Sequence, residues 1–257
     1  MPDVDLGICL QVVSLFGAVL LCWKLFQTGL WRRYPVFFWY FTFRVPDSAW
    51  PLFLKANSSL YQKLWMLTEP VAWLFHILVV FELYRLVLKD HKGIYTLGRW
   101  AMYAALAIAI PLSILSLIPH FTIHTPDQTR YMGYEFATAR GIDFSLALFL
   151  LLILLFLSRY PIKLGRNVVV HATLYTILFF SDAFAVFLRT FKIVATETLN
   201  IVMIGLSCAC IAAWLILLSP LGEEAPPDLP SISPQRERNS LRQLESLNAA
   251  LLKASGK

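Results

Sequence analysis

Ionisable side chains stand inside the apolar stretches of this sequence, where they are rare and have chemical roles when they occur. In the stretch 65–88, Glu69 and His76 are seven residues apart. Seven residues are two helical turns, so both side chains project from one helix face. Ionisable groups in a membrane span usually face a bundle interior or a wet cavity, where they bind a ligand or carry protons. This pair is the first candidate for such a role, because neither residue has a partner nearby in the sequence.

Three other apolar stretches carry acids at a comparable depth. With a rise of about 1.5 Å per residue, these acids fall in the same half of the membrane or near its middle. Four acids from four helices, with fewer bases, predict a polar cavity that opens to the outside. The predicted ligand or proton-path residues are Glu69, His76, Asp47, Arg44, Asp143 and Asp182.

A structural interpretation of the same charges stays open beside this one. Opposite charges three residues apart pair on one helix face, as Arg44 and Asp47 are spaced to do. Pairs of this kind hold a membrane bundle together without binding anything. The further residues predicted to form structural ion pairs are Arg140, Arg189, Glu82 and Arg85.

No set of residues in the sequence has the spacing of a catalytic or metal centre. His120 and His124 are spaced for a metal only if their segment is helical, and prolines interrupt that segment. The sequence therefore predicts no metal, no cofactor and no catalytic residue. An enzyme is kept only as a minor alternative, since no nucleophile and base stand in a recognisable pattern.

The elements that must position these residues are apolar blocks of membrane-span length. Hydrophobic residues make up 58% of the chain and charged residues 15%, against about a quarter charged in soluble domains. A soluble globular protein is thereby excluded, and an all-α bundle of seven transmembrane helices is predicted. The predicted spans are 6–26, 35–54, 65–88, 100–118, 136–157, 168–188 and 199–218.

Lysine and arginine are distributed so as to predict orientation. The net charge of +6 comes from basic residues at the ends of the apolar blocks, which argues against a nucleic-acid partner. The loops that follow the first, third and fifth spans, with the ends of those spans, carry more of these residues than the other loops. This bias places the amino terminus outside and the carboxyl terminus inside a plasma or inner membrane that the chain crosses several times.

The composition changes after Leu218. Residues 219–234 are rich in proline and acid and are predicted to be a linker. Residues 235–257 form a predicted cytoplasmic amphipathic tail with a stripe of leucines at 241, 244, 247 and 251. Docking to a cytoplasmic protein, lying on the membrane surface and loose order all remain open for this tail.

Three functions fit these features. The first is a sensor or receptor-like protein that binds a small molecule in the outward cavity and signals through its tail. The second is a secondary transporter of a small solute, with proton coupling as an option, because acids and proline-broken helices are features of transport cores. The third is a structural scaffold of the lipid bilayer.

Overall fold

A computed structural model of the chain describes residues 2–54, 58–88, 141–153, 165–190 and 195–223. It also describes isolated helical positions at 138 and 155, between 96 and 111, and between 242 and 253. The predicted span 100–118 therefore lies mostly outside the described residues.

The described chain is helical, and the all-α prediction is confirmed. Its helices are α1 (Pro2–Gln27), α2 (Pro35–Phe53), α3 (Ser59–Leu88), α4 (Gly141–Ile153), α5 (Arg166–Thr190) and α6 (Thr196–Leu217). Helices α1, α3, α5 and α6 are long and apolar enough to cross a membrane. Their lipid-length apolar surfaces make this a membrane-embedded protein.

Helix α3 begins earlier than the predicted span at residue 65. The backbone N–H of Tyr61 donates to the hydroxyl of Ser58 at 3.1 Å, so Ser58 satisfies one of the unpaired donors at the helix start. The first turns of α3 thus occupy part of the segment between the predicted spans 35–54 and 65–88. The helix start is set here by a polar cap and not by hydropathy. A prediction based on apolar blocks alone therefore places it too late.

Helix α3 contains a proline, Pro70. It stands in the interior of α3, eleven residues after Ser59. A proline there leaves the carbonyl of Met66, four residues before it, without an intrahelical donor. Helix α2 likewise contains Pro46 and Pro51.

The chain divides into two compact units. The first is Met1–Val79 with Ile177–Pro220, and the second is Val80–Thr176 with Leu221–Lys257. In the first unit α1 packs closely on α2 and on α6. One face of α1 is buried in this packing, and it consists of Ser14, Ala18, Leu21 and Leu25.

The contact between α1 and α6 is named here the α1–α6 seam. A Cβ on Gly17 of α1 would lie 2.9 Å from Cγ2 of Ile211, so only glycine fits this approach. Lys24 donates to the carbonyl of Leu215 at 2.5 Å. That carbonyl belongs to the last turn of α6, where no backbone donor remains and a cation is favoured. The seam is therefore tightly packed, and the carbonyl of Leu215 has a charged donor.

The second unit contains the start of α5 and the turn that follows α6. Asn167 is fully buried and donates from Nδ2 to Oε1 of Glu223 at 2.6 Å. A Cβ on Gly222 would lie 2.3 Å from Oδ1 of Asn167, so the turn Pro220–Glu223 approaches α5 very closely. The region predicted as a linker from residue 219 is thus structured as far as Glu223. His171 and Tyr175 continue the buried face of α5 from Asn167.

Candidate functional site

One face of α2 carries a series of polar and aromatic side chains. Tyr40, Arg44, Asp47 and Trp50 follow one another at offsets of four, three and three residues, which keeps them on one side of the helix. Nη1 of Arg44 donates to Oδ2 of Asp47 at 2.8 Å, in the pairing that their spacing predicts. The Arg44 side chain is 37% exposed and that of Asp47 is 12% exposed, so the pair is open on the side of the arginine.

A face of α3 lies opposite and carries Glu69 and His76. The hydroxyl of Tyr40 lies 3.4 Å from Nε2 of His76, a long hydrogen bond whose donor depends on the histidine tautomer. The two rings meet edge to face with centroids 5.5 Å apart. The other side of His76 contacts Phe179 of α5, with ring centroids 4.9 Å apart. His76 is therefore held by aromatic rings from two helices.

Glu69 completes the link between the two helices electrostatically. Arg44 interacts with the charges of both Asp47 and Glu69, and Tyr61 of α3 interacts with the same two carboxylates. We call these residues, with Tyr40, Trp50 and His76, the α2–α3 polar cluster. Among the described residues, the cluster contains two carboxylates and one guanidinium.

Trp50 lies at the opposite end of the cluster from His76. Its ring meets that of Tyr61 edge to face, with centroids 4.8 Å apart. The indole Nε1 is fully buried, and no described residue accepts a hydrogen bond from it. A buried donor without an acceptor costs about 1–3 kcal/mol, so native proteins normally satisfy such a group with water or a ligand.

Prolines interrupt both helices beside the cluster. Pro51 leaves the carbonyl of Asp47 without an intrahelical donor, and Pro46 does the same to Thr42. On α3 the interruption at Pro70 directly follows Glu69. Backbone oxygens near the carboxylates are thus available as further acceptors.

Such an arrangement can bind a small polar molecule by hydrogen bonds and charge. Carboxylates and backbone oxygens accept from an ammonium or hydroxyl group, while Trp50, Tyr61 and the exposed part of Arg44 donate. The described residues contain no group of three or more metal-ligating side chains. The described residues of the cluster thus offer hydrogen bonds and charge to a bound molecule.

Of the residues predicted from sequence, four come together in this cluster: Arg44, Asp47, Glu69 and His76. Asp182 also belongs to the first unit, and it interacts electrostatically with Cys210 of α6. Asp143 is buried in the second unit, in which Glu82 is partly buried and Arg85 is exposed. Of the four acids predicted to share one cavity, Asp47 and Glu69 are the two that the described structure brings together in the cluster.

The remaining candidates fall outside the described residues. These are His120, His124, Arg140 and the side chain of Arg189. Their proposed metal-binding and pairing roles stay predictions.

The search for charges missed the aromatic members of the cluster. Tyr40 precedes Arg44 by one turn and Trp50 follows Asp47 by three residues, so helical spacing from the charged pair was the signal that could have found them. Tyr61 lay in the predicted loop, and its place on α3 becomes visible only once the Ser58 cap is recognised. The O–H of a buried tyrosine and the N–H of a buried tryptophan need a hydrogen-bond partner, just as a buried charge needs one.

The chain was compared with protein-family models, with curated proteins and with solved structures, and none of the three comparisons finds a match.

Proposed function

We propose that this protein is a seven-helix sensor that binds a small polar or cationic solute in the α2–α3 polar cluster. In this proposal the amino terminus lies outside a plasma or inner membrane, and the cluster opens to the outside. The tail after Glu223 carries the signal to a cytoplasmic protein. The basic residues at the span ends support the orientation, and the leucine stripe of the tail supports the partner.

The observation that carries the proposal is the buried indole N–H of Trp50 with no acceptor among the described residues. A scaffold gains nothing from such a donor, because it adds a desolvation cost without a contact. A solute with an acceptor group removes that cost on binding. The two carboxylates of the cluster, Asp47 and Glu69, favour a solute that also carries a donor or a positive charge.

Thermal stability of the purified protein tests the binding proposal. We expect a member of a panel of amino acids, polyamines and quaternary amines to raise the melting temperature. Ligand at a hundred times its Kd stabilises a protein by about 2.7 kcal/mol. Trp50→Phe and Glu69→Gln should abolish this stabilisation, whereas the matched control Trp100→Phe, at an exposed position, should keep it. Stabilisation that survives both cluster variants would contradict the proposal.

Reporter fusions test the topology separately. A reporter after Lys92 should report the cytoplasmic side, and one after Lys192 should report the outside. The same side for both would contradict the seven-helix arrangement. Deletion of residues 224–257 should abolish signalling without changing solute-induced stabilisation; an unchanged cellular response would argue against the role of the tail.

A secondary transporter is the second candidate, favoured by the prolines beside the cluster. Pro46, Pro51 and Pro70 free backbone oxygens in two adjacent helices, as in transporters with interrupted helices at the binding site. Uptake of the stabilising solute into proteoliposomes separates the two functions. A sensor binds the solute without moving it, while a transporter accumulates it and loses uptake in Glu69→Gln.

A further inference from the structure

The loop between α1 and α2 holds two arginines in a fixed, exposed position. The loop turns at Gly29, whose φ of 72° favours glycine, and enters the 3-10 turn Leu30–Arg32. Leu30 and Tyr34 are buried on either side of the arginines and anchor the loop to the first unit. Arg32 and Arg33 are exposed between these two anchors.

The guanidinium of Arg32 is oriented by an aromatic stack. It lies 5.4 Å from the ring centroid of Trp31. The Trp31 ring in turn lies 6.2 Å from Phe26 of α1 and 6.2 Å from Phe38 of α2. Stacking restricts the guanidinium before it binds. It therefore loses less conformational entropy when it forms two parallel hydrogen bonds to a planar or tetrahedral anion.

Exposed aromatic rings surround the loop on its apolar side. Trp23 and Phe26, in the last turns of α1, are 62% and 61% exposed, and Trp39 of α2 is 59% exposed. Trp23 and Trp39 are each four residues from the end of their helix at the loop, which is about 6 Å along the axis. The membrane-length segment of α1 ends at Gln27, so these rings stand at the boundary between the acyl chains and the headgroups.

The charged residues around the loop are all basic. From Leu6 to Pro46 the chain contains no acid, while it contains Lys24, Arg32, Arg33 and Arg44. Lys24 is engaged with the carbonyl of Leu215 and Arg44 with Asp47. Of these four basic residues, Arg32 and Arg33 are the two that are exposed.

We propose that the α1–α2 loop binds the phosphate headgroup of an anionic phospholipid. Arg32 and Arg33 bind the phosphate, and the rings of Trp23 and Trp39 contact the acyl chains below it. The occupant is a lipid rather than a free phosphate because the exposed rings continue the site into the apolar layer, where a soluble anion has nothing to contact. This site lies apart from the α2–α3 polar cluster and is independent of the proposed sensor function.

Lipid binding to the protein in detergent micelles tests the proposal, since topology has no influence there. Native mass spectrometry should show phosphatidylglycerol retained in preference to phosphatidylcholine. Each basic residue near a membrane surface contributes about a fivefold gain in affinity for anionic lipid. Arg32→Gln should thus weaken phosphatidylglycerol binding about fivefold, and Arg32→Gln with Arg33→Gln by about 25-fold. Both changes are at exposed positions, and the melting temperature of each variant shows that it is folded.

Two controls make the outcome decisive. Lys63→Gln removes an exposed positive charge from the far end of α3 and should leave lipid binding unchanged. Millimolar glycerol phosphate, which has the headgroup but no acyl chain, should not displace phosphatidylglycerol. Unchanged binding in the double variant, an equal loss in Lys63→Gln, or displacement by glycerol phosphate would each overturn the proposal.

Discussion

The α1–α6 seam and the α2–α3 polar cluster belong to the same compact unit but are built in opposite ways. At the seam, Gly17 lets two helices touch, and the carbonyl of Leu215 receives Lys24. In the cluster, long side chains join α2 to α3, prolines interrupt both helices, and the N–H of Trp50 has no acceptor among the described residues. The seam joins its helices mainly by close packing, and the cluster joins its helices through polar and aromatic side chains.

This difference separates residues that hold the bundle together from residues available for binding. Between lipid-exposed helices there is little hydrophobic driving force, so close packing and satisfied polar groups supply the association. The seam has both. A region that lacks them and still retains charge is where a function is expected. Substitutions at the seam should therefore alter stability, and substitutions in the cluster should alter binding.

The largest loss of stability is expected from Trp214→Ala on α6, the helix that also forms the seam, where the indole packs against α2. Trp214 is 1% exposed and its ring lies 5.2 Å from Phe37 and 5.4 Å from Phe41, centroid to centroid. Removing a fully packed indole leaves a large cavity, which costs about 3 kcal/mol or more. Thermal unfolding in detergent measures it. A smaller loss than that of any cluster variant would reverse the assignment of the two regions.

A smaller loss is expected from Gly17→Ala. The new methyl group would approach Cγ2 of Ile211, a stiff β-branched side chain, and push the two helices apart. Overpacking of this kind costs about 1–3 kcal/mol. Gly205→Ala on α6 is the matched control, because its Cβ would meet nothing within 4 Å. That control should be neutral or slightly stabilising, as alanine is the better helix former; equal losses in both would show that Gly17 has no packing role.

The smallest loss is expected from Glu69→Gln and Asp182→Asn. Neutral isosteres keep the size of the side chain and remove a charge from a partly apolar setting, which relieves desolvation. The free energy of unfolding of both variants should lie within about 0.5 kcal/mol of the wild-type value. Glu69→Gln should nevertheless lose solute binding. Thermal unfolding and the solute-induced shift are measured on the same samples. A marked fall in stability in both variants, with binding following the amount of folded protein, would assign these acids to the scaffold.

The sequence predicts the helical class and the four membrane-length apolar helices, because apolar composition alone determines them. It also predicts the pairing of Arg44 with Asp47, since that contact lies within one helical turn. Three further interactions of the cluster depend on how α2 lies against α3. They are those of His76 with Tyr40, of Glu69 with Arg44 and of Trp50 with Tyr61. The spacing within one helix carries no information about that register. The hydrogen bond from Asn167 to Glu223 was not predicted for the same reason: the two residues are 56 positions apart, and helical spacing does not relate them.

The central claim is that the α2–α3 polar cluster is reached by water from outside, and cysteine accessibility tests it most directly. In a chain whose four native cysteines are replaced, Asp47→Cys, Glu69→Cys and the seam control Ser14→Cys are made one at a time. Intact cells are treated with a charged thiol reagent that does not cross membranes. We expect reaction at positions 47 and 69 and none at 14, where the side chain is buried. Absence of reaction at both cluster positions, or reaction only after the cells are permeabilised, would contradict the account.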